Sequence, residues 1–245
     1  MSFESDWHDW HAERERAAGA EYGPAALEST NWLISEPAAV EGVPGLWAVN
    51  GDGGIRGSEL GVAGATVTLR RGDALRLGRR ELRVFPRREH TALRVFNPSR
   101  PQRERFSAID TYRPDPAWRL AATFEPASDE SIIIVAIDGD RHDAPVAGRL
   151  HFEIRGVPHE LTVTRSVKGG LGAVFGDGTN GVETFPFRFL EIDEPADDGA
   201  AVVDFNRAYL PPYAFSDQYV CPLPPLGNRY SAPIRASERA VVLGR

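Results

Sequence analysis

The chain has 245 residues, is 42% hydrophobic and 26% charged, and carries a formal net charge of −7. A chain of this length buries roughly 70–75% of its unfolded surface, so its stability requires neither disulfides nor a structural metal. Its single cysteine, Cys221, excludes an intrachain disulfide and fits a reducing compartment. The opening MSFESDWHDWHAERER has no apolar signal core, and no stretch approaches the roughly 20 apolar residues of a membrane helix. The expectation is a soluble, cytoplasmic protein with no membrane partner.

The charge is uneven. Twelve arginines lie between Arg70 and Arg105 against Asp73, Glu81, Glu89 and Glu104, which leaves this block at about +8 and the remainder at about −15. The chain has one lysine, Lys168, so the arginine bias is general. In the basic block the arginines alternate with apolar residues, as on the wet face of hairpins, and no nucleic-acid motif accompanies them. Nucleic acid is not expected as a partner.

Residues 3–18 are predicted as a helix. Phe3, Trp7 and Trp10 fall at i, i+4 and i+7, with Ser2 or Ser5 as cap and Gly19 as terminator. Two tryptophans on one face imply an arm that docks onto the body, or onto a partner chain, so a homo-oligomer stays open. His8 and His11 are one turn apart, but no third ligand sits at a metal-site spacing. Beyond residue 24, short alternating segments are broken by Gly and Pro. Leu46–Val49 leads into NGDGGIRGSELG, whose glycines fit a tight hairpin or a mobile loop better than a phosphate-binding loop. Ala65–Leu69, Ala74–Leu77, Arg80–Phe85 and Ala92–Phe96 read as antiparallel strands.

Residues 97–118 carry four prolines and read as a long connection between two β halves. Leu120–Phe124 follows, then Ile132–Ile137, a continuous apolar run expected as a central strand. Gly148–Arg155 is the most regular segment: Leu150, Phe152 and Ile154 point one way, Arg149, His151 and Glu153 the other. Leu161–Thr164 and Leu171–Phe175 come next. Asp177-Gly178 and Asn180-Gly181 signal a hairpin, after which Phe185, Phe187 and Phe189 should share one face and Thr184 and Arg188 the other. Val202–Phe205, Ala232–Ala236 and Arg239–Val242 complete the strands. The fold expected is mainly β: an antiparallel sandwich or barrel-like body of two β halves with an N-terminal helix. The arm spans 1–29, the Arg-rich half 30–110 and the C-terminal half 111–245, together one compact unit.

The unusual stretch is VDFNRAYLPPYAFSDQYVCPLPPLGNR, residues 203–229, with three tyrosines and five prolines. If the strand continues through it, Asp204 and Asn206 leave one face and Phe205 the other. The prolines fix an extended backbone with little freedom to lose on binding. Two readings stand: a preorganised ligand site, or a structural lock in which Asp, Asn and Arg satisfy backbone groups that no ladder pairs.

The C-terminal third resembles a bacterial and archaeal family known as domain of unknown function 1684. The resemblance rests on Phe175 to Thr184 (Phe-x-Asp-x-Thr-x-Gly-x-Glu-Thr), Arg188-Phe189, Asp204 to Phe215, Cys221 to Pro225 and Asn228-Arg229. Weaker matches cover Thr111–Trp118, Phe124–Pro126, Trp10, Arg14 and Trp32-Leu33. The family often has a second cysteine where this chain has Tyr213, so cysteine-pair chemistry is absent. Its N-terminal half is similar to a forkhead-associated sandwich, but that region here is LWAVNGDGGIRGSELG, which departs from the phosphopeptide-reading pattern. The resemblance implies β architecture and a shared site, and no activity.

The expectation drawn from these residues is a small polar or anionic ligand held in a pocket formed by 175–190 and 203–229. Its binding residues would be Asp177, Thr179, Thr184, Arg188, Asn206, Arg207 and Tyr209. An Arg beside a carboxylate either pairs with it or holds an anion. The alternatives are a metal-independent hydrolase or isomerase using Glu183 or Asp204 as acid/base, and a structural or interaction protein. His151 reads as a solvated position, and Cys221, followed directly by Pro222, has no helix N-terminus to activate it. The carboxylates of GDGTNG match no calcium loop. No cofactor and no metal are expected.

Overall fold

The computed structural model describes residues 2–61 and 64–244. The chain divides into two compact units: Met1–Glu15, Ser107–Ala214 and Val220–Val242 form one, and Arg16–Phe106, Phe215–Tyr219 and Leu243–Arg245 the other. They are called the C-terminal and N-terminal units below.

The N-terminal unit carries β1 (Leu27–Leu33), β2 (Ala38–Val40), β3 (Val43–Val49), β4 (Ile55–Ser58), β5 (Thr66–Leu69), β6 (Ala74–Leu77), β7 (Arg80–Arg87) and β8 (His90–Phe96). They form two four-stranded antiparallel sheets, in the orders β1-β8-β7-β6 and β2-β3-β4-β5. Trp47, Ile55, Leu82, Leu93 and Val95 lie in their shared core. The glycine-rich run makes the tight β3–β4 hairpin, with Val49 opposite Ile55. The segment Phe215–Tyr219 is held here by its own hydrogen bonds: Ser216 Oγ donates to Leu27 O (2.9 Å) and Gln218 O accepts from Thr30 Oγ1 (2.8 Å).

The C-terminal unit begins with α1 (Phe3–Ala18), of which residues up to Glu15 belong to it. Ser2 Oγ accepts from Ser5 N at 3.2 Å, and Glu4 and Asp6 sit in the first turn, where they complement the helix dipole. Trp7 is the buried residue of the apolar stripe and Trp10 is half-buried. The chain passes through the one-turn α2 (Pro101–Arg105) before the strands β9 (Phe106–Thr111), β10 (Arg119–Pro126), β11 (Ser131–Val135), β12 (Arg141–Pro145), β13 (Gly148–Ile154), β14 (Val157–Arg165), β15 (Leu171–Phe175), β16 (Arg188–Ile192), β17 (Ala200–Asp204) and β18 (Glu238–Leu243). A six-stranded antiparallel sheet runs β16-β15-β14-β13-β10-β17; β11 pairs with β12 and β18 with β9.

Alternation on β13 buries Leu150, Phe152 and Ile154, as its period requires, and these join Phe175, Leu190, Val203 and Phe205 in one core. The outer strands of the sheet, β16 and β17, are then joined by the chain itself. After β17 a single 3-10 turn, Phe205–Arg207, redirects the backbone so that Tyr209 pairs with Phe189 of β16 through two N–H···O bonds of 2.9 Å each. This clasp closes the sheet in a barrel-like manner and covers edges that would otherwise expose unpaired amides. A mainly β chain with antiparallel sheets and an N-terminal helix is therefore what the sequence forms.

Four expectations need correction. Ile132–Ile137 is not a central strand: β11 belongs to a two-stranded hairpin and is half-exposed, its apolar residues only partly covered. The proline-rich 97–118 is not merely a connection, since α2 and β9 lie within it. Ala232–Ala236 forms no strand, because its backbone groups bond to side chains described below. Finally, the strand expected from Thr184 starts only at Arg188, and its inward face is Arg188, Leu190 and Ile192. Arg188 and Phe189 do take opposite faces, and the buried one is the arginine.

Phe205 is fully buried and meets Trp118, Phe152 and Phe175 edge-on, with ring centroids 5.3–6.3 Å apart. Phe205→Ala is expected to cost about 3–5 kcal/mol of unfolding free energy in urea titration. A loss below about 1 kcal/mol would show that the clasp is not part of the core.

Candidate functional site

The residues singled out in the sequence fall into two groups with different surroundings. In the first group, Asp177 and Arg188 form an ion pair, Nη2 to Oδ2 2.7 Å, with both side chains wholly removed from solvent. Such a pair persists only if its remaining hydrogen-bonding capacity is met. Arg188 Nη1 donates to Ala236 O (2.5 Å) and Nη2 to Ile234 O (2.9 Å), while its guanidinium lies 5.2 Å from the centre of the Phe175 ring. Asp177 Oδ1 accepts from Thr179 N (2.9 Å), Thr179 Oγ1 (2.7 Å) and Ile234 N (3.0 Å). Thr184 Oγ1 lies 2.8 Å from Thr179 Oγ1 and accepts from Asn180 Nδ2 at 2.9 Å.

Backbone geometry supports the same loop. Gly181 adopts φ 75°, which the turn needs, and a Cβ on Gly178 would sit 2.4 Å from Ser231 O. The loop is thus tied against 231–236 at a distance that only glycine permits. Asp177, Thr179, Thr184 and Arg188 are accordingly spent on one another and on the backbone of 234–236, and none lines a cavity described here.

The family segment at 221–229 is also structural in its contacts. Strands β14 and β15 pair only through Thr164 and Arg165. One step further, the Asn228 amide enters between them: its Oδ1 accepts from Thr162 N (2.8 Å), and its Nδ2 donates to Thr162 O (2.8 Å) and Val174 O (3.0 Å). Arg229 returns to Pro224 O with bonds of 3.2 and 3.0 Å. Pro222 and its neighbours extend the β11 backbone, with Leu223 N donating to Val135 O at 2.8 Å, and Cys221 is buried.

Glu183 sits apart from both segments' interior. Arg235 grips its carboxylate through Nη2 (2.6 Å) and Nε (2.8 Å), and the Tyr112 hydroxyl donates to it at 2.8 Å. The Arg235 bonds first, then that of Tyr112, hold its carboxyl down at about 2. A carboxylate so stabilised is a weak proton acceptor at neutral pH. Tyr112 is shifted upward by burial and by Glu183.

In the second group, Asp204 caps the 3-10 turn: its Oδ1 accepts from Asn206 N (3.0 Å) and Asn206 Nδ2 (2.9 Å). The strand ends at Asp204, so Asn206 does not continue its face. Instead Asn206 is buried, exchanging two bonds with the Asp115 backbone (2.9 and 3.0 Å) and offering its own carbonyl to Trp7 Nε1 at 2.7 Å. Helix α1 is thereby fastened to the clasp. Two further ties act alongside: Arg207 pairs with Asp6, and Arg14 pairs in a forked manner with the fully buried Glu238 (2.7 and 3.0 Å). Glu238 Oε2 also accepts from Leu210 N at 2.7 Å, and Arg14 lies 4.8 Å from the centre of the Tyr209 ring.

Between α1, β16, β17 and the clasp there is a cavity of about 820 Å³. Asp204, Arg207 and Tyr209 line it, joined by Trp10, Arg119, Lys168, Glu191 and Asp193. Tyr209 donates to Glu191 Oε1 at 3.0 Å, and burial, followed by the Glu191 charge, pushes its hydroxyl upward. The cavity walls come from α1 and from residues 191–209, together with Arg119 and Lys168; no residue of 175–190 takes part. Trp10, Lys168 and Glu191 were not readable as site residues, because their proximity depends on α1 lying over the closed sheet. The pattern that could have pointed there was the apolar stripe of α1, which carries Trp10 beside Trp7. Among the described residues no group of three or more His, Cys, Asp or Glu is placed to hold a metal ion.

An antiparallel β unit closed by a polar clasp, with a helix laid over the closure, defines the class of protein and contains most of the motif residues. A family model described as "Protein of unknown function (DUF1684)" matches residues 104–239, more than half of the chain, and the chain belongs to that family. Among solved structures it is similar to the solution NMR structure of the uncharacterized protein from gene locus rrnAC0354 of Haloarcula marismortui. The identity is 28%, over 58% of this chain and 82% of that one, with a TM-score of 0.45. Comparison with curated proteins finds no match. No helix is long and apolar enough to cross a membrane among the described residues.

Two outcomes are expected. Arg188→Met leaves Asp177 buried without its partner and should cost about 3–5 kcal/mol in urea unfolding, with Asp177→Asn added to it restoring part of the loss. An Arg188→Met loss near zero would mean that the pair is not buried. Glu183 has a folded-state pKa below its unfolded value of 4.5. Its contribution is therefore complete above about pH 4.5 and lost as pH falls toward about 2. Glu183→Gln should flatten the acid-side fall in stability over that window, and an unchanged profile would contradict the Arg235 contact.

Proposed function

We propose that this protein binds a small polar molecule in the cavity under α1, using Arg119, Lys168, Arg207 and Tyr209 with the carboxylates opposite them. The observation that carries this reading is the cavity itself, which has a volume of about 820 Å³ and is lined by charges of both signs and by three aromatic side chains, Phe3, Trp10 and Tyr209. That volume falls within the range of small-molecule sites, and convergent polar groups on a preformed concave wall are their usual mark. The walls are rigid for stated reasons. Arg207 is anchored by Asp6, Tyr209 by Glu191 and by its backbone bonds to Phe189, and α1 by Trp7 and Arg14. A preorganised wall loses little entropy on binding.

A carboxylate acid/base reading draws less support. Glu183 is held low by Arg235 and lies outside the cavity lining. Asp204 faces the cavity but devotes one oxygen to capping the turn.

A thermal-shift screen of small polar compounds against the full chain should yield a stabiliser. At about 100-fold excess over Kd the stabilisation is about 2.7 kcal/mol by mass action. Val202→Trp, which places an indole in the cavity from a position exposed on β17, should abolish the shift. A stabiliser that acts equally on that variant would place its binding elsewhere.

A further inference from the structure

We infer that the ligand of this cavity is a zwitterion carrying an ammonium and a carboxylate, of the amino-acid type, and not a simple anion. The inference rests on the ligand-binding reading above and specifies it further. It comes from asking which charges around the cavity are already compensated by the protein. Four cations line it: Arg14, Arg119, Lys168 and Arg207. Arg14 is neutralised by Glu238 and Arg207 by Asp6, and each guanidinium also lies over an aromatic ring, Tyr209 and Trp10 respectively. Lys168 Nζ sits 3.7 Å from Glu191 Oε1 and 5.4 Å from the centre of the Tyr209 ring. The charge of these three is thus already balanced by the protein. Arg119 alone has no ion pair, hydrogen bond or ring contact for its side chain among the described residues, and it is exposed at the cavity wall.

The carboxylates divide in the same way. Asp6 and Glu191 are taken by the contacts just named, and Glu194 pairs with Arg165 at 2.6 Å. Asp193 has no cationic partner among the described residues, and Asp204 binds only the amide groups of Asn206. Both line the cavity. Glu191 adds an unmet acceptor: its Oε2 is shielded from water and receives no donor. What the protein leaves unpaired at the cavity is therefore one guanidinium and at least two acidic acceptors.

A molecule with only negative charge would gain Arg119 and face the unpaired Asp193 and Asp204 together, and like charges so placed repel. A molecule with only positive charge would leave Arg119 without a role. A zwitterion meets both sets, with its carboxylate on the Arg119 fork and its ammonium toward Asp193 and Asp204. Arg119 and Asp204 begin and end paired antiparallel strands, directly opposite in register, so the two charge types are presented side by side.

The test is a protein-observed NMR titration of the full chain with three probes of similar size: L-glutamine as zwitterion, putrescine as diamine and succinate as dianion. The expected result is that glutamine perturbs the Trp10 indole and the amides of Val202 and Tyr209, and binds about tenfold more tightly than either other probe, a difference of about 1.4 kcal/mol. Arg119→Gln should weaken glutamine about tenfold and leave putrescine unchanged, and Asp193→Asn should weaken glutamine and putrescine but not succinate. Succinate binding most tightly at the same residues would overturn the zwitterion inference while the cavity remained a site. No perturbation of the cavity residues by any probe would overturn the binding reading itself.

Discussion

The ion pair between Asp177 and Arg188 is the constraint on which the closed architecture depends. Taking both charges wholly out of water is expensive, and the pair survives because nearly every remaining donor and acceptor finds a partner. Those partners are the carbonyls and an amide of 234–236, a segment that forms no strand. Its irregular backbone is thus satisfied by side chains rather than by a ladder. The guanidinium occupies the first inward position of β16, and that strand in turn receives Tyr209 from the clasp. One buried arginine therefore links the hairpin loop, the C-terminal segment and the closing strand of the sheet.

Closing the sheet in this way creates the place where a site can exist. The 3-10 turn after Asp204 is short enough to bring Tyr209 back to β16, and it turns the Asn206 carbonyl toward α1. The helix lies across the closure on Trp7, Arg14 and Asp6, and the space left beneath it is the cavity. Structural and ligand-facing duties are segregated. Asn206, Asn228, Glu238 and Arg188 are buried and fully engaged with the protein, apart from the Nε of Arg188, whereas Arg119, Asp193 and Lys168 are exposed at the wall.

Much of the fold was readable because its signals are local. The helix at 3–18, the β13 alternation and the glycine hairpin after Val49 follow from periodicity and turn chemistry alone. Alternation separates Arg188 from the aromatic residues but does not say which face of β16 is inward, and burial of an arginine is rare enough that composition does not point to it. Strand parity was also carried one turn too far at Asp204, where a side chain caps the backbone before Asn206. Spacing cannot distinguish an Asp that holds a backbone from one that holds a ligand. Glu238 and Lys168 were silent for a different reason, as their neighbours are more than twenty residues away in sequence.

The central claim is that the 177–188 loop, the 234–236 segment and the clasp form one closed, cooperative body beneath a docked helix. Native-state hydrogen exchange of the amides of Thr179, Ile234, Tyr209 and Leu210 tests it most directly. If these four hydrogen bonds belong to the body, all four amides exchange only through global unfolding, with free energies equal to that of core amides such as Phe152. Exchange of Ile234 or Tyr209 through a low-energy local opening, while Phe152 stays protected, would contradict the account.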